Sequence, residues 1–521
     1  MALVCAMAMS AQETPPAAKP AVEKPVQKAD AKEEEKPNPK KQIQEFLKST
    51  VEMIPAATMS VQVAALMDAA ELCGEENNAQ AIDLLGQAFR TAAAVPSTTE
   101  QRMGNAQATV LVTMARYDPD AAAELLGGLA PKARAFPLFA VVSEMIGKKE
   151  LERAIATLEL YATPEAYPYT AANMVLNELA EDDARRTQIF SAAAASFTTE
   201  SDIKGFSLLL QSQWRKTPKV LVDPAVRRAV STVLEMKRLE DMSVSQTTDK
   251  GSVTFNNQTD AELFELMGVL QSVDPKEAKE ILDKRPSLAA ALERFPDGSA
   301  SMSPSGGSGS STMTTRMGDN ISGAQVQEEM RLNAVSDAAA EEALRLASAE
   351  PLAAVAKAKQ IPLELKRGST LVQIAGEAVA REPAGARSVL SQVDTELRGV
   401  KDPMSAAGLW AKFADVARKA QEVEVADKAI ERGMAACETL YKQDANVDDP
   451  NTAPRESWPS IQSWRQVMVA AAALHGLEAE ALIARVTDPD LVVMGRLALL
   501  RGVLQKPIKS FGVGTQHRGR I

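Results

Sequence analysis

The chain has 521 residues, with 69 Asp and Glu against 58 Lys and Arg for a formal charge of −11; 45% is apolar and only 4% aromatic. Acidity spread along the length gives none of the clustered Lys and Arg that nucleic-acid binding needs, and the apolar fraction suffices for packed cores in roughly two to four domains. Two histidines and a scarcity of rings remove most routes to His-ligated metals, His general bases and aromatic stacking platforms.

Residues 1–12, MALVCAMAMSAQ, form a short apolar run ending in small residues. It is similar to the later part of a secretory signal, with cleavage near Ala8 or Gln12, although the positively charged start is missing. An exported chain, periplasmic or extracellular, is the expectation; a cytoplasmic chain with a chance apolar tip is the alternative. Val4 argues against lipid modification of Cys5, because such signals prefer a small residue there. Residues 13–41 mix Pro, Ala, Lys and Glu with almost nothing large enough to bury, the composition of a disordered spacer.

From Gln42 onward apolar residues recur at helical spacing. Leu263, Leu266, Met267 and Leu270 follow it, as do Leu371, Ile374, Ala375 and Ala378, and Phe206, Leu209, Leu210 and Trp214 continue the theme. The fold class is therefore all-α. Residues 242–256, where β-branched residues flank Asp249-Lys250-Gly251, read as a small hairpin or an excursion between helices. Residues 297–323, rich in Gly and Ser, read as a flexible linker between helical domains 42–296 and 324–505, and 506–521 as a frayed tail. No apolar run approaches the roughly 18 residues of a transmembrane helix.

One element repeats. Asp-Pro or Glu-Pro is followed by two residues, an Ala, two more and an apolar pair: DPDAAAELL from Asp118, DPKEAKEIL from Asp274, EPAGARSVL from Glu382, and a degraded DPDLVVMGR from Asp488. The carboxylate accepts from free first-turn amides, Pro at the first helical position loses no bond, and the Ala lets the helix lie close to its predecessor. Each copy thus marks a helix start in an antiparallel hairpin, not a catalytic acid.

A second spacing joins Trp410, Phe413, Ala414 and Ala417 to Ala426, Ile430 and Gly433, and recurs through Ala65, Ala69, Leu72, Ala81, Leu85 and Ala88. Over about seventy residues this resembles a tetratricopeptide repeat. It departs from that family at Asp68, where a large apolar residue is expected, at Ala65 in place of an aromatic, and in lacking the closing Pro. The resemblance implies antiparallel helix pairs in a solenoid-like stack whose concave surface binds a protein or peptide.

No enzyme motif occurs, and no catalytic, cofactor-binding or metal-ligating residue is assigned. His475, directly before Gly476, reads as a helix-terminal residue, and His517 lies in the tail. Cys73 and Cys437 read as small buried side chains, with a disulfide as the alternative. Carboxylates such as Glu181, Asp182 and Asp183 keep open a helical hydrolase or lyase, although the paucity of Trp and Tyr disfavours a sugar-binding wall. Tyr161, Tyr167 and Tyr169, and Trp458, Trp464 and Arg465, have the composition of interface hot spots and are the candidate partner contacts. Large aromatics at helix starts also plug gaps between repeats, which is the competing reading. The expected function is a non-catalytic scaffold that binds a protein or peptide.

Overall fold

The computed structural model describes residues 38–74, 77–94, 100–236, 242–248, 251–302, 311–316, 323–446 and 455–508. The expected signal (1–12), all but the end of the spacer, residues 303–310 of the Gly- and Ser-rich segment and the chain beyond residue 508 lie outside them. Residues 45–521 form one compact unit.

The chain runs through α1 (Pro39–Met53), α2 (Met59–Cys73), α3 (Asn78–Ala94), α4 (Glu100–Tyr117), α5 (Pro119–Leu126), α6 (Pro131–Gly147), α7 (Leu151–Tyr161), α8 (Tyr169–Glu178), α9 (Ala184–Ala195), α10 (Ile203–Gln213) and α11 (Lys219–Glu235). Strands β1 (Met242–Thr248) and β2 (Gly251–Phe255) precede α12 (Gln258–Val273), α13 (Pro275–Leu282), α14 (Pro286–Arg294), α15 (Ser299–Met302) and β3 (Ser311–Arg316). The remaining helices are α16 (Gly323–Ala347), α17 (Pro351–Ala358), α18 (Glu364–Arg381), α19 (Arg387–Leu397), α20 (Pro403–Lys419), α21 (Val423–Ala445), α22 (Pro459–His475), α23 (Glu480–Ile483) and α24 (Pro489–Val503).

These helices form antiparallel pairs. Helices α4, α6, α8, α10 and α12 lie side by side in succession, as do α16, α18, α20, α22 and α24, and the intervening helices return the chain between them. The succession also comes back on itself, because α24 packs against α2. The two sequence frames are the pairs α2/α3 and α20/α21, with Ala65, Ala69, Ala81, Trp410, Phe413, Ala414, Ala426 and Ile430 all buried.

The repeated helix start behaves as its chemistry demands. Asp118 accepts from the Asp120 and Ala121 amides at 2.9 and 3.1 Å, Asp274 from Glu277 at 3.0 Å, and Asp488 from Asp490 and Leu491 at 2.9 and 3.2 Å. Asp402-Pro403 opens α20 in the same way, with Asp402 bonding the Ser405 amide, whereas Glu350-Pro351 opens α17 without a side-chain cap. Glu382 likewise makes no side-chain cap, and there Pro383–Ala386 forms a 3₁₀ turn before α19. The Ala at the fixed offset is buried in every copy that has one: Ala122, Ala278, Ala354, Ala386 and Ala406.

Of the two readings open for 242–256, the hairpin is the one that forms, as β1/β2, and β3 extends it into a small sheet of order β2-β1-β3, all antiparallel. Phe255 on β2 is fully buried, with its ring 5.3 Å from that of Phe264 on α12. Within the segment expected to be a flexible linker, Ser299–Met302 form α15 and Ser311–Arg316 form β3, while residues 303–310 and 317–322 lie outside the described residues. Ser311–Arg316 reads STMTTR; its β-branched threonines suit a strand once β1 offers an open edge.

If the capping carboxylate rather than the dipeptide sets these starts, Asp274→Ala should lower stability by about 1 kcal/mol in urea unfolding. Glu382→Ala should change it by less than about 0.5 kcal/mol.

Candidate functional site

The densest set of charged side chains lies where the beginning of the array meets its end. Asp68, in the middle of α2, is completely buried, and so is Arg465 on α22; Arg501 on α24 is 1% exposed. Arg465 Nη2 donates to Asp68 Oδ2 at 3.0 Å, and Arg501 pairs with Asp68 Oδ1 from the other side. Arg501 Nη2 also donates to Glu71 Oε2 at 2.8 Å. Two carboxylates therefore face two guanidinium groups, which neutralises a cluster that would otherwise be prohibitive to bury.

The two cations do not share the set equally. Burial pulls the Arg465 guanidinium below its ordinary value, and the nearby Arg501 charge pulls the same way, against the hydrogen-bonded Asp68 carboxylate and a weaker contribution from Glu71. Burial acts on Arg501 too, but Asp68 and Glu71 together outweigh it and hold Arg501 above its ordinary value.

Helix starts from the two ends of the chain interlock around this cluster. Asp490, buried in the first turn of α24, accepts from the Thr58 amide at 2.7 Å and the Thr58 hydroxyl at 3.0 Å, so it caps α2 from the far end of the sequence. Arg455 Nη1 reaches the same carboxylate at 2.8 Å. Tyr441 donates to Asp488 at 2.5 Å. Below them Arg496 donates to Thr50 Oγ1 at 3.0 Å and Ser49 Oγ at 2.7 Å, pairs with Glu480, and lies 4.1 Å over the Phe46 ring. Lys506 Nζ donates to the Glu71 carbonyl at 3.0 Å, and Arg501 bonds the Pro507 carbonyl at 2.6 Å. The start of the expected frayed tail is thus part of the joint.

Of the candidate contacts, Tyr167, Tyr169, Trp458, Trp464 and Arg465 are buried, which fits the reading of large side chains as plugs between repeats. Trp464 is 1% exposed and donates from Nε1 to the Leu491 carbonyl at 2.8 Å. Gly495 makes room for it: a Cβ there would sit 2.6 Å from Trp464 Nε1. Trp458 is buried against Tyr441, with Arg455 stacked 4.9 Å from its ring. Arg465 turns inward to Asp68. Tyr167 and Tyr169 are buried as well, Tyr169 packing on Phe206 at 5.1 Å between centroids while its hydroxyl bonds Ser201 at 3.2 Å. Burial pushes the Tyr169 phenol up to about 12. Tyr161 is half-buried at the end of α7. Large rings bury more apolar area than any other side chain, and here that area fills the spaces between helix pairs.

The remaining candidates have local roles. Asp183 caps α9 and binds Arg185, whose guanidinium holds its carboxyl down to about 2, while Glu181 and Asp182 are exposed; the three do not converge. His475 ends α22 before Gly476, whose φ of +62° suits the glycine, and its Nε2 lies 2.6 Å from Asp427. Cys73 and Cys437 are both free, and burial raises both thiols, Cys437 to about 12. Arg186, unmarked in the sequence, is buried between α8, α9 and α10, donating to the Leu179 carbonyl at 3.0 Å and to Gln213 at 2.7 Å. Among the described residues no group of His, Cys, Asp and Glu could hold a metal ion. By length and composition Pro459–Ile483 could cross a membrane, but in this fold it packs against α20, α21 and α24 and carries buried Arg465.

Removing Asp68 leaves two guanidinium groups facing each other in a buried site. Asp68→Ala should therefore cost about 3–5 kcal/mol in urea unfolding, and Asp68→Leu combined with Arg465→Met and Arg501→Met should recover most of it. A pH test uses Glu456, in the 3₁₀ turn before α22. Burial raises its carboxyl, the Ser60 hydroxyl partly opposes this, and the Asp490 charge adds to it. A carboxyl raised on folding stabilises the protein below its unfolded-state value, and that stability is lost as pH rises through the raised one. Glu456→Gln should accordingly be more stable than the natural protein at neutral pH and equal to it at about pH 3.5.

No family model and no curated protein matches the chain. Among solved structures, one described as a circular tandem repeat protein with novel repeat topology and enhanced subunit contact surfaces aligns over 89% of this chain and 97% of its own, at 12% identity and a TM-score of 0.18. A superposition that low carries no detail across, and the helix pairs are defined by their own packing in this chain.

Proposed function

We propose that the chain is a non-catalytic helical-repeat scaffold that acts outside the cytoplasm and presents a surface to a protein or peptide partner. The observation that supports this most is the repeated pair itself. Stacked pairs bring side chains from many repeats onto one extended surface, which suits recognition of an elongated partner. Along one edge Glu364 accepts from the Lys401 and Asp402 amides at 2.7 and 3.1 Å, drawing together the starts of α18 and α20, where Leu365 and Met404 are 58% and 44% exposed. Exposed apolar side chains held side by side are the material of a docking edge.

The hydrolase or lyase reading keeps one supporting observation. Glu262 on α12 has its carboxyl raised by burial against the Gln258 hydrogen bond and the Lys204 charge, with the Asp202 charge adding to the rise, and its Oε2 is buried without a hydrogen-bond partner among the described residues. A buried acid beside a second carboxylate is the pattern of a general acid.

The two readings separate in one experiment. A photo-crosslinking residue at Leu365 or Met404, introduced in the native host, should trap one defined polypeptide, and Glu262→Gln should leave that product unchanged. Hydrolysis of a glycoside or peptide panel that disappears in Glu262→Gln, with no crosslinked product, would replace the scaffold reading. Export has its own test: intact mass of the protein from its native host should show a mature terminus near Met9 or Glu13, and a retained Met1 in the cytoplasmic fraction would end it.

A further inference from the structure

The joint between the ends of the array adds buried charge pairs to the apolar packing of its helices. Ordinary pairs bury small apolar residues, as α20 and α21 do with Ala414, Ala417, Ala426 and Ile430. The joint is held by Asp68 with Arg465 and Arg501, Thr58 with Asp490, and Arg496 with Ser49 and Thr50, groups 397 to 447 residues apart in the chain.

Such a joint can open and re-form. Stability in a repeat array is a sum of local terms, so the pairs fold without the joint. Charged groups regain hydration when a polar joint opens, which offsets much of the lost pairing. The partners sit on opposite ends of one chain and complement each other, so the contact is heterologous and its bonds are the same within a chain or between chains. Which of these forms depends on the effective concentration of the chain's own far end against that of a second molecule.

We propose that this joint is also made between two copies of the chain, the α2 end of each seating on the α22 and α24 end of the other. The occupant is a second copy because the complement of the Asp68, Glu71 and Thr58 face is the Arg465, Arg501 and Asp490 face of the same sequence.

The test begins with natural protein. Two preparations carrying different fluorophores are mixed in urea and refolded at low and high concentration, then separated by size with light scattering. A species of twice the chain mass carrying both labels, growing with refolding concentration and absent for Asp68→Arg alone, is the expected result. Monomer at every concentration overturns the proposal, and so does a dimer that persists unchanged in Asp68→Arg, which would place the contact elsewhere.

Charge exchange tests the pairing directly. Asp68→Arg with Glu71→Arg opposes four cations within one chain, and Arg465→Asp with Arg501→Asp opposes four carboxylates, whereas both joints are matched, two charges against two, when the two variants exchange ends. Co-refolding should give a one-to-one pair, with helical circular dichroism recovered if either variant loses it alone. Failure to pair on co-refolding, whether or not the separate variants stay helical, counts against exchange.

Discussion

One carboxylate holds the two ends of this molecule together. Asp68 is completely buried, and its charge is tolerable only because guanidinium groups from α22 and α24 reach it from two sides. Neither guanidinium could be buried there without it, and the excess positive charge is absorbed by Glu71. The arrangement is therefore indivisible: a buried pair is weakly stabilising as a whole and strongly destabilising when broken. The rest of the joint, from the Asp490 cap on α2 to Arg496 over Phe46, depends on the register that this cluster sets.

Closure also accounts for how the ends of the array are finished. Each repeat in an open stack covers its neighbour, and the outermost ones need a polar face to remain in water. In this chain α2 and α24 cover one another instead, and their polar groups are turned inward and paired. Within the stack the demand is the reverse. The repeated Ala, buried in α5, α13, α17, α20 and the turn before α19, lets backbones approach, so the chain is rich in small apolar residues and poor in rings. The rings that remain plug wide gaps, as Tyr167, Tyr169, Phe197 and Phe206 do between α8 and α10, with Phe197 stacked 4.4 Å from Phe206.

Much of this is readable from residues in order. Helix starts follow from a carboxylate, a Pro and an Ala at fixed offsets, all local chemistry, and the two frames of small residues identify real helix pairs. Glu382 shows the limit, since its longer side chain stands at the same position without reaching the amides. The joint is not readable, because nothing local couples Asp68 to residues some four hundred positions away. Its one trace is negative: Asp68 stands where the repeat pattern asks for a large apolar side chain. Trp464 and Arg465 stand out for the right reason, burial of rings and guanidinium at an interface, but the interface lies within the chain. Strand β3 is hidden because its threonines sit inside a Gly- and Ser-rich run that reads as a linker, and only the open edge of β1 gives them a partner.

The chemistry of the joint also bears on its specificity. The end of a helical stack that was simply apolar would fit the apolar face of any other helix pair, including those of this same array while they are still assembling. A set of charges fits only its complement, in one register, because a shifted pairing leaves Asp68 or a guanidinium buried alone. Including Asp68, Arg465 and Arg501 in the closure alongside apolar residues thus gives up some stabilisation per contact. It makes the far end of the same sequence the one surface on which α2 comes to rest with every charge paired.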